Sequence, residues 1–181
     1  RQRAQMRCPT GQYSDRGGMA NCEDCRVGGY QDQQGMSGCK PSLPGTHVPS
    51  VRATHLTNCS AGSYSDQQAQ PSCEECSVGQ YQDLPGTSAC KPSLPGTHAR
   101  GIREKLPTDC PAGSYSDQPG QASCTDCPST TFQDQAGQTG CKPAQIGFCV
   151  ASVRSAEQTP CENGTFTDQP GQSRCRVCGT G

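Results

Sequence analysis

The sequence predicts a small disulfide-rich fold, mostly irregular and β, built as an elongated rod of tandem hairpin-like repeats. A seventeen-residue repeat runs from residue 8 to the end of the chain, and a fixed period of this kind determines architecture more firmly than local propensity does. Only 30% of the 181 residues are hydrophobic, too few for a conventional core. The 16 cysteines instead indicate an oxidised, disulfide-stapled extracellular protein.

The repeat is clearest in residues 110–126, CPAGSYSDQPGQASCTD. Counting from the first cysteine, cysteine also stands at position 15, glycine at position 4, an aromatic residue at position 6, aspartate at position 8 and usually glycine at position 11. Glycine stands at position 4 of every repeat except one, which has Thr130. A recurring glycine indicates a backbone site with positive φ or a close approach of another strand. The Asp-x-x-Gly segment is typical of turns. We therefore expect each repeat to form a small irregular hairpin.

The cysteine pairing can be inferred because every third repeat loses both cysteine positions together. The residues found there are Ser42 with Leu56, Ser93 with Pro107, and Ala144 with Gln158. Bonding within the CxxC steps would instead leave Cys39 and Cys59 without partners. The predicted disulfides are Cys8–Cys22, Cys25–Cys39, Cys59–Cys73, Cys76–Cys90, Cys110–Cys124, Cys127–Cys141 and Cys161–Cys175.

Two cysteines fall outside this scheme. Cys178 opens a repeat whose second cysteine would lie beyond residue 181, and Cys149 occupies position 6 of the third repeat that lacks cysteine pairs. For Cys149, a free buried thiol, an intermolecular bridge and a bond to Cys178 all remain open.

A longer period of 51 residues groups two repeats that carry a cysteine pair (stapled repeats) with one that does not (an unstapled repeat). The predicted organisation is a lead-in at 1–7, super-repeats at 8–58, 59–109 and 110–160, and a partial super-repeat at 161–181. We expect both ends to be cuts through a longer array, since residues 1–7 contain no apolar signal segment.

Basic residues recur with the longer period. They are Lys40, Lys91 and Lys142, together with Arg52, Arg103 and Arg154, each arginine following a valine or isoleucine. Rows of this kind are candidate assembly contacts with aspartates such as Asp15, Asp66 and Asp117 on a neighbouring strand. The alternative is that they are solvated surface charges, which contribute little.

Several functions are not expected from this composition. A net charge of -1 gives no electrostatic basis for binding nucleic acid or an anionic membrane, and no apolar run is long enough to span a bilayer. Successive CxxC steps are 51 residues apart, so they do not supply the two close couples of a structural zinc site. His47 and His98 occupy the aromatic position 6, where we expect them to replace a ring. We predict no metal, no cofactor and no enzymatic activity.

Two sequons, at Asn58 and Asn163, are candidate sites of N-glycosylation. Asn163 is the better candidate because it precedes a glycine in a turn, whereas Asn58 is followed by a bonded Cys59. Glycans are therefore expected partners.

The pattern C-x-x-G-x-Y-S-D-x-x-G-x-x-x-C-x-x-C resembles the ephrin-receptor-type cysteine-rich repeat, which is related to tumour-necrosis-factor-receptor and growth-factor-receptor modules. The resemblance covers nearly the whole chain, and it implies that the first loop joins its two flanking cysteines. The chain departs from those receptors by lacking interlocked second-loop cysteines. Long arrays of such repeats are typical of secreted and surface proteins of protists and algae, including flagellar-hair (mastigoneme) fibres.

The sequence therefore favours a secreted structural protein, a repeat segment of a cell-surface or flagellar-surface filament that assembles with itself through repeated faces. The alternative is a receptor-like or adhesive ectodomain that binds a protein ligand. Regularity separates them, because lattice contacts recur along a chain whereas a ligand site needs locally distinctive residues.

Overall fold

The structure, a computed structural model, describes residues 7–15 and 21–179. Within these residues there are twenty β-strands of two residues each and no helix. Most of the predicted lead-in at 1–7 lies outside the described residues. The strands are β1 (Gln12–Tyr13), β2 (Glu23–Asp24), β3 (Gly29–Tyr30), β4 (Lys40–Pro41), β5 (Thr46–His47), β6 (Thr57–Asn58), β7 (Ser63–Tyr64), β8 (Glu74–Glu75), β9 (Gln80–Tyr81), β10 (Lys91–Pro92), β11 (Thr97–His98), β12 (Thr108–Asp109), β13 (Ser114–Tyr115), β14 (Thr125–Asp126), β15 (Thr131–Phe132), β16 (Lys142–Pro143), β17 (Phe148–Cys149), β18 (Thr159–Pro160), β19 (Thr165–Phe166) and β20 (Arg176–Val177).

Consecutive strands pair into ten two-stranded sheets, one in each seventeen-residue repeat. In the β13–β14 hairpin, Ser114 faces Asp126 and Tyr115 faces Thr125 in antiparallel register. The outgoing strand holds positions 5 and 6, as expected, and the return strand begins just after the second cysteine. The predicted disulfide-rich fold of tandem hairpin-like repeats is confirmed.

The chain divides into two compact units. The first comprises Arg1–Cys76 and Gln82–Lys91, and the second comprises Ser77–Tyr81 and Pro92–Gly181. The same hairpin and the same contacts between neighbouring hairpins recur inside each unit, so the packing rules below apply to each unit by itself.

Seven disulfides hold the hairpins, and they join the same seven cysteine pairs that the sequence predicts. Each closes a separation of 14 residues, with Cα–Cα distances of 5.6–5.8 Å that are ordinary for a disulfide. The first cysteine is buried in six of the seven pairs, fully so at Cys25, Cys59, Cys76, Cys110 and Cys127, whereas Cys161 is half-buried. Sulfur therefore occupies much of the space that apolar side chains fill in other proteins.

Position 1 is also fully buried in the unstapled repeats, where Ser42, Ser93 and Ala144 stand. The Ser42 hydroxyl donates to the carbonyl of Gln70 in the next hairpin (3.3 Å) and accepts from the Gln70 N–H (2.9 Å). In the second unit the Ser93 hydroxyl donates to the carbonyl of Gln121 at 3.1 Å. In the first two unstapled repeats a hydroxyl bonded to the next hairpin thus replaces the missing sulfur, whereas Ala144 leaves a methyl group there.

Backbone hydrogen bonds connect each hairpin to its neighbours. In the second unit the N–H of Gly113 donates to the carbonyl of Gln133 in the next hairpin (2.7 Å), and the N–H of Gln133 donates to that of Ser155 in the hairpin after it (3.1 Å). The Arg154 N–H returns to the carbonyl of Cys127 at 2.8 Å. Since a hairpin of two short strands is marginal alone, these bonds between neighbours must supply much of its stability.

Position 4 shows why glycine is required there. Gly113 has φ of 83°, and a Cβ at this residue would collide with the carbonyl oxygen of Arg154, two hairpins further along. In the first unit, Gly28 lies against the carbonyl of Ala69 in the same way. Positive φ and close approach, the two reasons expected from the sequence, both hold at this position.

Candidate functional site

The predicted assembly lysines make ion pairs within their own hairpins. The lysine at position 16 reaches the aspartate at position 8 in three hairpins, which are Lys40–Asp32 (2.6 Å), Lys91–Asp83 (2.6 Å) and Lys142–Asp134 (2.5 Å). The hydrogen bond from Lys40 lowers the pKa of the Asp32 carboxyl and raises the pKa of Lys40 itself. The primary ion-pair partner of each lysine is therefore an aspartate of the same hairpin. Both side chains of each pair remain partly exposed.

The three periodic arginines share an unusual backbone. Arg52, Arg103 and Arg154 have φ of 59°, 62° and 59°, at the position that most stapled repeats fill with glycine. A side chain in this left-handed region costs roughly 1–2 kcal/mol. The guanidinium of Arg52 lies 3.5 Å from Asp24, and that of Arg154 lies 3.6 Å from Asp126.

An exposed apolar residue precedes each of these arginines. Val51, Ile102 and Val153 have 59%, 64% and 65% of their surface exposed. We call the three dipeptides at 51–52, 102–103 and 153–154 the apolar–Arg corners. Each belongs to an unstapled repeat, and they recur at intervals of 51 residues along the chain.

Each compact unit also carries an open groove with charges of both signs. The groove in the second unit has a volume of about 450 Å³, and its lining includes His98, Arg100, Asp109, Asp126 and Arg154. The groove in the first unit, of about 420 Å³, has a different lining that includes Tyr13, Asp24, Arg26, Val27 and Lys40.

The two histidines at position 6 lie against a disulfide of the following hairpin. Nδ1 of His47 is 3.2 Å from Sγ of Cys73, and Nδ1 of His98 is 3.2 Å from Sγ of Cys124. Both imidazoles are half-buried and sit on the outgoing strand, where stapled repeats carry Tyr or Phe. The third histidine, His55, is exposed and has Nδ1 3.3 Å from the hydroxyl of Thr54.

The two cysteines outside the pairing scheme are free. Cys149 is half-buried on β17, and Cys178 is exposed after β20. The bond between them that the sequence left open is therefore not formed in this structure.

Both sequon asparagines are accessible. Asn58 is exposed on β6, and Asn163 is exposed in the turn before Gly164. Attachment of glycan at either residue stays a prediction.

The family described as tyrosine-protein kinase ephrin type A/B receptor-like matches residues 11–59 and 96–142, which together exceed half of the chain. The chain belongs to this family. The ephrin-receptor-like repeats and the seven disulfides together indicate an extracellular domain, and repeats of this family are in general non-catalytic. A search of curated proteins finds none that matches the chain.

Within the described residues, the ephrin-receptor-like chain has no helix long and apolar enough to cross a membrane.

A buried glutamine at position 7 of the second hairpin in each complete super-repeat was not predicted from the sequence. Gln133 is almost fully buried; its Nε2 donates to the carbonyl of Gly140 (2.6 Å), and its Oε1 accepts from the N–H of Gln135 (3.2 Å). Gln31 and Gln82 bond in the same way. The available signal was the contrast between Tyr-Ser-Asp or Phe-Thr-Asp in first repeats and Tyr-Gln-Asp or Phe-Gln-Asp in second ones.

Proposed function

We propose that the chain is a repeat segment of an extracellular structural filament that assembles with further copies of itself through its unstapled repeats. The observation that carries this proposal is the recurrence of the apolar–Arg corners. Val51, Ile102 and Val153 expose more than half of their surface at the same position of successive super-repeats. We propose that this filament lies at a cell surface or a flagellar surface.

These exposed side chains indicate an assembly surface because they recur at a regular interval. A single exposed valine is normal on a protein surface, and burying it contributes only about 25 cal/mol per Å² of apolar area. A second chain with the same 51-residue period offers one matching corner for each of these three, and linked weak contacts reinforce one another. A copy of this chain is the partner that has this period by construction.

The arginine of each corner supports the same interpretation. A left-handed arginine costs stability that glycine in the same position does not, and Arg52, Arg103 and Arg154 all adopt this conformation. Arginine is enriched in protein interfaces. We propose that the guanidinium rims the apolar contact and orients the second copy.

Electron microscopy of the secreted chain tests assembly directly. We expect wild-type protein to form long uniform filaments, and the variant Val51→Asp/Ile102→Asp/Val153→Asp to remain as separate molecules. The matched control is Val27→Asp/Val78→Asp/Val177→Asp, which places the same added charge on three exposed valines of stapled repeats and should still assemble. Wild-type chains that stay separate at high concentration, or a corner variant that assembles normally, would contradict the proposal.

The second candidate is a receptor-like or adhesive ectodomain, and the two grooves favour it. Their linings differ in residue type and combine basic with acidic groups, as a specific ligand site requires. In that case Arg100→Glu in the second groove would abolish capture of a protein ligand while the corner variant would not, and wild-type chains would not form filaments.

A further inference from the structure

We propose that His47 with the Cys59–Cys73 disulfide, and His98 with the Cys110–Cys124 disulfide, each form a site for a soft divalent metal such as Zn²⁺ that opens when the disulfide is reduced. The proposal is independent of filament assembly. It concerns the hairpins that follow the unstapled repeats, and it assigns the two half-buried histidines a role beyond filling a ring position.

The donor atoms are already gathered. One ring nitrogen of His47 and the two Sγ atoms of Cys59 and Cys73 all lie within 4.8 Å of one another, and the donor atoms of the second cluster lie within the same limit. A tetrahedral zinc site with Zn–S bonds near 2.3 Å places its ligand atoms roughly 3.5–3.8 Å apart. Reduction lets the two sulfurs separate to that spacing from Cα atoms that are 5.7 Å apart, so rotation of the side chains is sufficient.

The position of the imidazole is selective among the hairpins. Position 6 of the preceding repeat is Tyr64 before the Cys76–Cys90 hairpin and Tyr115 before Cys127–Cys141. Histidine stands there only before Cys59–Cys73 and Cys110–Cys124. Before Cys161–Cys175 the residue is Cys149, which also offers a soft ligand atom. All three unstapled repeats therefore place a nitrogen or sulfur ligand type at this position, where every stapled repeat has an aromatic ring.

Burial leaves the cluster open on one side. Cys59 is fully buried, whereas Cys73 and His47 are half-buried. A reductant and a metal ion can therefore approach from the side of Cys73. Three protein ligands leave a fourth tetrahedral position for water, as in open zinc sites.

The chemistry balances with a dithiol as the reductant. The dithiol gives two electrons and two protons to the Cys59–Cys73 bond, producing two thiols, and is itself oxidised to a cyclic disulfide. The metal then displaces the two thiol protons and binds two thiolates and the neutral imidazole, since both ligand types bind in deprotonated form. The metal joins the same two cysteines that the disulfide joined. The hairpin would thus keep a cross-link under reducing conditions.

Nitrogen NMR of the histidine side chains in the full chain tests this directly, with Cd²⁺ as the metal probe. After limited reduction with a dithiol, we expect Cd²⁺ to shift the Nδ1 resonances of His47 and His98. The internal control is His55, which is exposed and belongs to neither cluster of donor atoms, and its resonances should not move. Before reduction, Cd²⁺ should move none of the three.

Two variants complete the test. In His47→Phe/His98→Phe, the ring position is filled as Phe132 fills it, so the fold should persist while both bound metal ions are lost. Cys149→Ser/Cys178→Ser removes the free thiols as competing ligands and should leave the two histidine shifts unchanged. Cd²⁺ bound by the reduced chain without shifts at His47 and His98, equal shifts at all three histidines, or shifts in the oxidised chain would each overturn the proposal.

Discussion

The carbonyl oxygen of Arg154 occupies the space that a Cβ of residue 113 would need, and residue 113 is glycine. The two residues belong to hairpins separated by one other hairpin, so position 4 of one repeat packs directly against position 11 of the second repeat after it. This contact relates two sequence patterns that otherwise look independent. The glycine at position 4 is required by the backbone at position 11, and both backbones are left-handed.

Replacing Gly113 with alanine should therefore destabilise the fold by about 2 kcal/mol or more, because the left-handed backbone alone costs an L-residue roughly 1–2 kcal/mol and the carbonyl must also move. Chemical denaturation of the oxidised chain measures the loss. The control is Gly140→Ala, where a Cβ would meet nothing within 4 Å. Equal losses for the two variants would show that the contact has no energetic weight.

Thr130 is the natural exception at position 4, with φ of 82°. A β-branched residue in this region is a genuine outlier, so Thr130→Gly should stabilise the chain by about 1 kcal/mol after the entropy of glycine in the unfolded chain is subtracted. The midpoint of denaturant unfolding should rise relative to wild type. A fall would mean that the threonine side chain makes a compensating contact.

The buried Gln133 gives a prediction about polar satisfaction. Leucine has a similar size but cannot bond to the carbonyl of the half-buried Gly140 or the N–H of the exposed Gln135, and each lost hydrogen bond costs about 0.5–1.5 kcal/mol. Gln133→Leu should therefore lower the free energy of unfolding by at least about 1 kcal/mol. Gln118→Leu, at an exposed position of the same unit, should have little effect.

The repeat phase can be tested by adding a staple. Ser42→Cys/Leu56→Cys places cysteines at positions 1 and 15 of an unstapled repeat, where stapled hairpins have Cα atoms 5.6–5.8 Å apart. A closed loop of this length should stabilise the chain by about 3 kcal/mol. Non-reducing peptide mapping should find the new bond, and Ser42→Cys alone should give no gain. A double variant with two free thiols would contradict the assigned phase.

The pairing of Lys40 with Asp32 predicts a dependence on pH. Because Lys40 lowers the pKa of the Asp32 carboxyl in the folded chain, the pair contributes stability above the ordinary aspartate pKa of about 3.9 and loses it as the pH falls through the lowered value. Carbon NMR of the Asp32 carboxyl should show its titration midpoint rise in Lys40→Met. An unchanged midpoint would show that the pair does not form in solution. Both groups are exposed, so the effect on stability should be small.

The phase of the repeat reveals which residues are equivalent, and this was enough for the disulfide pairs and for the glycine at position 4. The position of a residue within its repeat does not reveal which other hairpin that residue contacts. The contact of His47 with Cys73, 26 residues apart, and the hydroxyl bond of Ser42 to Gln70 depend on how successive hairpins turn, which no residue type encodes. The same limit applies to Lys40, for which the repeat pattern predicts a partner on another chain although the hydrogen-bonded Asp32 carboxylate lies eight residues away.

Backbone hydrogen bonds join each hairpin to hairpins that follow it in the sequence. During synthesis, a hairpin is therefore made before the partners of these bonds. Each disulfide joins cysteines only 14 residues apart, so a loop can be oxidised soon after it is made. Gly113, however, has its hydrogen-bond acceptor on Gln133 and its packing partner on Arg154, so its native setting is complete only after two more hairpins have been synthesised. Each loop therefore contains both of its cysteines before its docking partners exist, and it can be oxidised while the hairpin is still accessible.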